Sequence, residues 1–311
     1  MKTEKIGVLV MSYGTPENFA AVADYYTHIR RGRPPEQEQL ADLIRRYEAI
    51  GGLFPLRENT NRQVQALEET LNRQGEAYEF VCYQGLKHAP PFIEDGVEAM
   101  AADGIGEAVG IVLAPHYSAM SIGGYIQRAE AAANRHGLNM RFVKSYHLHP
   151  KLIAALAERV TESIAQFPVR DRDEVEVIFS AHSLPEKILA LNDPYPRQLL
   201  ETSEKVAELA AVKRWRFAWQ SAGQTPEPWL GPDILEVIRS MKEEQVKHVL
   251  VCPVGFVSDH LEVLYDIDIE CRNLAERLGM NFQRTRSLGT DPKYMETLAD
   301  MVNSCLDHSA N

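Results

Sequence analysis

An α/β protein of two similar halves, each a parallel sheet flanked by helices, is the fold class that the sequence predicts, and three observations carry it. The first pairs Ile6–Met11 (I-G-V-L-V-M) with Val175–Ser180 (V-E-V-I-F-S). Both are short apolar runs cut off by turn residues, and Pro16-Glu17 after one matches Pro185-Glu186 after the other, which sets Tyr13 opposite His182. Next, Phe80–Gln84 followed by Pro90 matches Phe217–Gln220 followed by Pro226. Finally, Ile111–Pro115 matches Val249–Pro253, each followed by a loop and then a helix. Three matches in the same order imply an internal duplication, its unit being strand, helix, strand, helix, strand, helix. Continuous apolar runs are what strands buried on both faces look like, and the helices between them supply right-handed crossovers. Each half is therefore expected to be a Rossmann-like lobe with ligand residues at the carboxyl ends of its strands. Tyr13, His116, His182 and the loop ahead of Glu262 lie at such ends.

Taken in order, the chain opens with the Ile6 strand and its turn, Ser12 to Pro16. Tyr13 to Gln84 spans 71 residues but His182 to Gln220 only 38, so the first half carries roughly 33 extra, placed within residues 25–60. This insertion gathers Arg30, Arg31, Arg33, Arg45 and Arg46 with Tyr25, Tyr26, Tyr47 and Phe54. Arginine binds carboxylates in a bidentate fork and lies over flat π-systems, so the composition suits a planar aromatic anion with carboxylate arms as well as it suits an ordinary surface helix. Gly123-Gly124-Tyr125 is either a hinge or a helix start. Residues 152–166 are amphipathic at helical period and pack on a sheet. Phe167–Asp173, polar and proline-bearing, reads as the linker, which puts the lobes at 1–167 and 168–311. Three prolines make residues 224–232 a rigid loop. A last helix, Pro292–His308, has no strand after it and is expected to cross back onto the first lobe.

The second half ends on its most informative stretch. Val249–Cys252 is a buried strand stopped by Pro253 and Gly255, and a helix capped by Ser258 or Asp259 follows. At 100° per residue Glu262, Asp266 and Glu270 stack along one face of that helix. Like charges at this spacing are mutually destabilising, so a ladder of three invites a cation, although a solvated face in an acidic protein has the same pattern.

Composition bounds the function. With 311 residues, 45% apolar and 25% charged, the chain is an ordinary globular protein able to bury roughly 75% of its unfolded surface. A net charge of −11 argues against nucleic acid and anionic lipid as partners. Cys82, Cys252, Cys271 and Cys305 form no CxxC pair and no zinc or cluster spacing, so they are expected to be free thiols. Met1–Lys5 runs into a strand without a signal-peptide core, and no apolar run approaches the roughly 18 residues that span a bilayer, which points to the cytoplasm.

The composite motifs H-S-L-P-E-K (from His182), W-Q-S-A-G-Q-T-P-E-P-W-L-G-P (from Trp219) and P-V-G-F-V-S-D-H-L-E-V-L-Y-D (from Pro253) together resemble those of ferrochelatases. The chain is similar, more narrowly, to the water-soluble Bacillus type that metallates coproporphyrin III, over nearly its whole length. The resemblance implies a chelatase-like fold with the porphyrin in a cleft between the lobes. It implies that His182 and Glu262 face the metal, that Asp266 and Glu270 continue an acidic path for the incoming ion, and that Tyr13 is axial to the product iron. It further implies porphyrin contacts at Arg30, Arg46, Tyr47, Leu53, Phe54 and Tyr125, with Lys87 and His88 of G-L-K-H lining the site. Phe54 stands where this type has a small hydroxyl residue, so a polar propionate contact does not carry over there. Iron is then a substrate, no cofactor is tightly bound, and without a cysteine-bearing C-terminal extension no iron–sulfur cluster is expected. A monomer in haem biosynthesis, with a haem-pathway partner for product handover, completes the expectation.

The chemistry of the residues agrees with that role. One imidazole and one carboxylate strip water from Fe(II) yet release it more readily than a closed four-ligand cage, and His182 is a base for the two departing pyrrole protons. Two other readings share parts of the pattern: a cobalt or nickel chelatase of the sirohydrochlorin type, and a non-catalytic haem-binding or delivery protein.

Overall fold

The computed structural model describes residues 4–74, 77–223 and 225–307. The N-terminal residues ahead of Glu4, Gln224 of the proline loop and His308 of the last helix lie outside them. The chain forms two compact units, one running to Tyr146 and resuming at Gly289, the other spanning His147–Leu288.

The first unit is built on β1, Glu4–Ser12, whose residues from Ile6 onward are all buried. Then come α1 (Val22–Ile29), α2 (Gln37–Ala49), α3 (Pro55–Gln74), β2 (Tyr78–Leu86), α4 (Ile93–Ala102), β3 (Glu107–Val112), α5 (Ile122–His136) and β4 (Asn139–Phe142). The sheet is parallel in the order β2-β1-β3-β4. A continuous apolar strand such as β1 belongs at the centre of such a sheet, covered on both faces. Leu9, Met11, Val97, Met100, Tyr125 and Ala129 pack in one of its cores. The inserted residues 25–60 form the end of α1, all of α2 and the start of α3. Gly123 and Gly124 lie in the first turn of α5, which makes that pair a helix start. The C-terminal helix, Pro292–Asp307, packs on α3 and β3. Tyr146 ties it in place, its hydroxyl donating to the Val112 carbonyl at 3.0 Å and meeting the Tyr294 hydroxyl at 3.1 Å.

The second unit repeats the plan with α6 (Pro150–Ile164), β5 (Glu176–His182), α7 (Tyr195–Leu209), β6 (Trp215–Gln220), α8 (Ile234–Glu243), β7 (His248–Cys252), a π-helix (Val263–Cys271) running into α9 (Arg272–Arg277), and β8 (Asn281–Arg284). Its parallel order is β6-β5-β7-β8, the same as in the first unit. Gly255 of the Pro253-Val254-Gly255 loop is required by packing, because a Cβ there would stand 2.5 Å from the Ala181 Cβ. Among the described residues no helix is long and apolar enough to cross a membrane.

Three details differ from the sequence reading. Residues 167–173 are not the point where the chain changes unit. Phe167 is buried, Arg172 donates to the Phe167 carbonyl at 3.0 Å, and the passages fall at Tyr146–His147 and Leu288–Gly289, so α6 belongs to the second unit. Each sheet also has a fourth strand. β4 and β8 are four-residue edge strands of mixed polarity, which periodicity does not detect, yet G-L-N-M-R-F-V-K-S from Gly137 and G-M-N-F-Q-R-T-R-S from Gly279 repeat one another and mark both. Finally, the matches do not share one register. Gln84 pairs with Val10, three residues before Tyr13, whereas Gln220 pairs with His182 itself, so the Gln84/Gln220 and Tyr13/His182 equivalences do not hold together.

Candidate active site

β5 delivers His182 at its carboxyl end, and the Tyr195 hydroxyl on α7 donates to the His182 carbonyl at 3.0 Å. His182 Nδ1 is hydrogen-bonded to the Ser183 carbonyl, which places the ring hydrogen there and turns Nε2 toward Glu262 Oε1, 3.4 Å away. The other carboxylate oxygen of Glu262 lies 3.5 Å from Nε2 of His260, whose Nδ1 is likewise held by a carbonyl, that of Ser258, at 3.0 Å. Two imidazoles thus present their Nε2 atoms to one carboxylate. Three electron-rich groups converge, an arrangement that a cation relieves, whether a proton or a metal ion. A proton serves in the metal-free protein. Burial pulls the His182 pKa down, but the charge and hydrogen bond of Glu262, the Ser183 carbonyl and Asp266 outweigh it and raise the value to about 9. Burial pushes the Glu262 carboxyl up, and His182 and His260 overcome that and hold it well below the usual carboxylate range. Both side chains keep about a third of their surface exposed, 32% and 36%, so water and ions reach the pair.

The carboxylate ladder is not α-helical as expected. After Glu262 the helix widens to i→i+5 bonding through Cys271, so the 100° step fails and the three acids meet different surroundings. Asp266 is only 7% exposed and accepts a hydrogen bond from Ser221. Glu270 lines an open groove of about 760 Å³ with Tyr265, Arg239 and Arg277. Arg284 of β8 braces this segment, forking onto Asp268 at 2.7 and 2.8 Å and reaching Asp259 at 3.0 Å. Among the described residues no three or more His, Cys, Asp or Glu side chains close into a metal cage.

In the first unit, Tyr13 and His88 sit side by side because the β1–β2 pairing runs on past the strand ends. The Lys87 amide donates to the Ser12 carbonyl at 2.9 Å and the His88 amide to the Tyr13 carbonyl at 3.0 Å. The Tyr13 and His88 rings are 4.6 Å apart, and Tyr13 is 43% exposed. Gly14 makes the turn with φ +86°, where a Cβ would also press on Ala89 at 3.1 Å. Nδ1 of His28 meets Nδ1 of His88 at 3.0 Å. Burial, then Lys87, His28 and Arg128, lower the His88 pKa to about 3. Lys87 Nζ lies 4.8 Å over the buried Tyr125 ring, and burial with Arg128 and Arg31 lowers its pKa. Arg128, forked onto Glu94 at 2.8 and 2.6 Å, donates to the Lys87 carbonyl at 2.7 Å. Arg30 ends α1 beside the Tyr26 ring, and Arg46 in the last turn of α2 pairs with Asp42 at 3.0 Å. Tyr47 is buried with its hydroxyl 3.2 Å from that of Thr15, and its ring stacks on Phe54 at 4.4 Å.

A model of the ferrochelatase family matches residues 5–306. The chain belongs to the ferrochelatase family. The coproporphyrin III ferrochelatase of Geobacillus kaustophilus (strain HTA426) is 49% identical over 304 residues, 97% of this chain and 96% of that one. The protein of the same name from Staphylococcus epidermidis (strain ATCC 35984) is 45% identical over 97% of this chain and 99% of its own. Among solved structures, the sirohydrochlorin chelatase SirB of Bacillus subtilis subspecies spizizenii with cobalt superposes with a TM-score of 0.60, covering 98% of this chain and 96% of that one. SirB of Bacillus subtilis with Fe3+ gives 0.61, covering 98% and 97%. At 13% identity both show the fold alone, a two-lobed α/β chelatase fold.

In this ferrochelatase family member the sequence-derived residues fall into three groups: His182 with Glu262 and Asp266, Tyr13 with Lys87, His88 and Tyr125, and Tyr47 with Leu53 and Phe54. Arg30 and Arg46 stand at the ends of successive helices. Sequence reasoning missed His260, Ser221, His28, Arg128 and Arg284. His260 was within reach of it, lying in S-D-H-L-E two residues before Glu262. The others meet their partners only through the fold.

Proposed function

We propose that this chain is a porphyrin metal chelatase, a lyase of haem biosynthesis that inserts Fe(II) into free-base coproporphyrin III. The relatives' names support the substrate, and one observation carries the chemistry: a carboxylate faced by the Nε2 atoms of two imidazoles, each of which is held at Nδ1 by a backbone carbonyl. Fe(II) arrives past Glu270 and Asp266, displaces the proton that His182 and Glu262 share, and is held by those two residues with its remaining positions open. As the iron passes to the macrocycle, its two pyrrole N–H groups each lose a proton and the dianionic ring neutralises the cation. His182, free of its metal, takes the two protons in turn and passes each to water. Arg30 and Arg46 bind propionates, and Tyr47, Leu53, Phe54, Tyr125, Lys87 and His88 contact the ring. Tyr13 is axial to the product iron.

Iron enters as substrate and no resident cofactor takes part. Nor is an iron–sulfur cluster part of this reading: Cys252 is buried, and burial pushes its thiol up to about 12. The chain works in the cytoplasm as a monomer, without nucleic acid, and passes its product to a haem-pathway partner. The test is anaerobic incubation with free-base coproporphyrin III and Fe(II), followed by absorbance. Catalytic loss of the free-base bands is expected, whereas binding of the iron porphyrin without consumption of free base makes the chain a carrier and overturns the proposal.

A further inference from the structure

The turn between α2 and α3, Gly51–Leu56, reads G-G-L-F-P-L and has no hydrogen-bonding side chain, although it sits in the most basic segment of the chain. Two of its amides are already engaged, Gly51 N–H with the Glu48 carbonyl and Gly52 N–H with that of Tyr47, both at 2.9 Å. Above the turn three aromatic rings form a wall: Phe54 stacks on Tyr47 at 4.4 Å and meets Phe19 edge-on at 5.3 Å. The one polar atom of these rings, the Tyr47 hydroxyl, faces the Thr15 hydroxyl at 3.2 Å on the buried side. Leu53 and Phe19 remain 57% and 41% exposed.

A carboxylate seated against such a wall loses water and finds no donor among the turn's own side chains, whereas an alkyl or vinyl group gains contact area. We infer that this turn receives a non-ionised edge of the porphyrin and that Phe54 is a specificity-determining residue, weakening the preference for a macrocycle that carries a propionate at that edge. The inference rests on the proposed chelatase reading and refines it: the arginines grip the acid arms, and the Phe54 corner accepts apolar substituents. Discrimination by such a surface is inherently weak, since an apolar wall rejects an added polar group only modestly, while a donor placed there selects strongly for its partner.

The test compares kcat/KM for the tetracarboxylate coproporphyrin III with that for a dicarboxylate, deuteroporphyrin IX, with Fe(II), in the unaltered protein, Phe54→Ser and Phe54→Leu. Phe54→Leu keeps an apolar side chain and controls for loss of the stacked ring, and melting curves confirm that all three proteins are folded at the assay temperature. The ratio of tetra- to dicarboxylate is expected to rise about tenfold in Phe54→Ser, the low end of what a hydrogen bond to a charged group contributes, and to stay within twofold in Phe54→Leu. A ratio unchanged in Phe54→Ser, or raised equally in both variants, overturns the inference while leaving the chelatase reading intact. Failure of the unaltered protein to metallate either porphyrin removes the reading on which it rests.

Discussion

Replacing Glu262 by Gln should move the titration of His182 by about two pKa units while leaving the shape of the site nearly unchanged. The pair stands 3.4 Å apart, which at an effective dielectric constant of about 20 corresponds to about 4.9 kcal/mol of attraction. With a third of each side chain in contact with water, roughly half of that survives, about 2.4 kcal/mol or about 1.8 pKa units. His182, raised to about 9 in the unaltered protein, should then titrate near 7 in Glu262→Gln. At pH 7.5 the unprotonated fraction of the ring rises from about 3% to about 75%. The folded value of His182 is raised, so its stabilisation is fully present below about pH 6.5 and disappears as pH climbs through about 9. The stability gap between the two proteins should close over that window. Nitrogen-resolved NMR of the imidazole in metal-free protein measures the titration directly, and urea melts at pH 6 and 9.5 measure the linkage. A midpoint in Glu262→Gln within half a unit of the unaltered protein would show that the carboxylate does not hold the proton, and the account of the site would fail.

Other outcomes follow from the same geometry. His182→Ala should lower metal insertion by roughly 10² to 10⁴ with porphyrin affinity, read by fluorescence quenching, nearly unchanged; activity within a few-fold of the unaltered protein refutes its role. Arg30→Ala should weaken coproporphyrin binding by about 1.5–3 kcal/mol and a dicarboxylate porphyrin by less, whereas equal losses point to a fold effect. Because Glu270 lines an open groove and Asp266 is buried against Ser221, Glu270→Gln should raise KM for Fe(II) in a way that fades at high salt, and Asp266→Asn in a way that persists; identical salt dependence contradicts the difference in burial. His88, held near 3, stays neutral when folded but is protonated on unfolding below about pH 6.5, so stability falls with acidification. In urea melts His88→Gln should lose about 1 kcal/mol less between pH 7.5 and 5.5, after allowance for the partial exposure of the ring.

Much of this molecule is legible from its residues alone. Apolar runs ended by Pro and Gly announced β1, β3, β5 and β7, because a strand covered on both faces has to be apolar throughout, and repetition of their turn residues disclosed the duplication. His182, Glu262, Tyr13 and the arginines could be singled out as candidates for the same local reason: strand ends and composite motifs are short in sequence. Tertiary structure decided what depends on partners far along the chain. The edge strands β4 and β8 exist because β3 and β7 offer them a ladder, and not because four mixed residues prefer extension. The π-helix was invisible in an α-like pattern. It is stabilised by contacts such as Arg284 with Asp268 and Ser221 with Asp266, and it turns one acid of an apparently uniform ladder inward. The pKa of His182 was beyond reach as well, because it is a balance between burial and charges that only the folded chain brings within a few ångströms of one another.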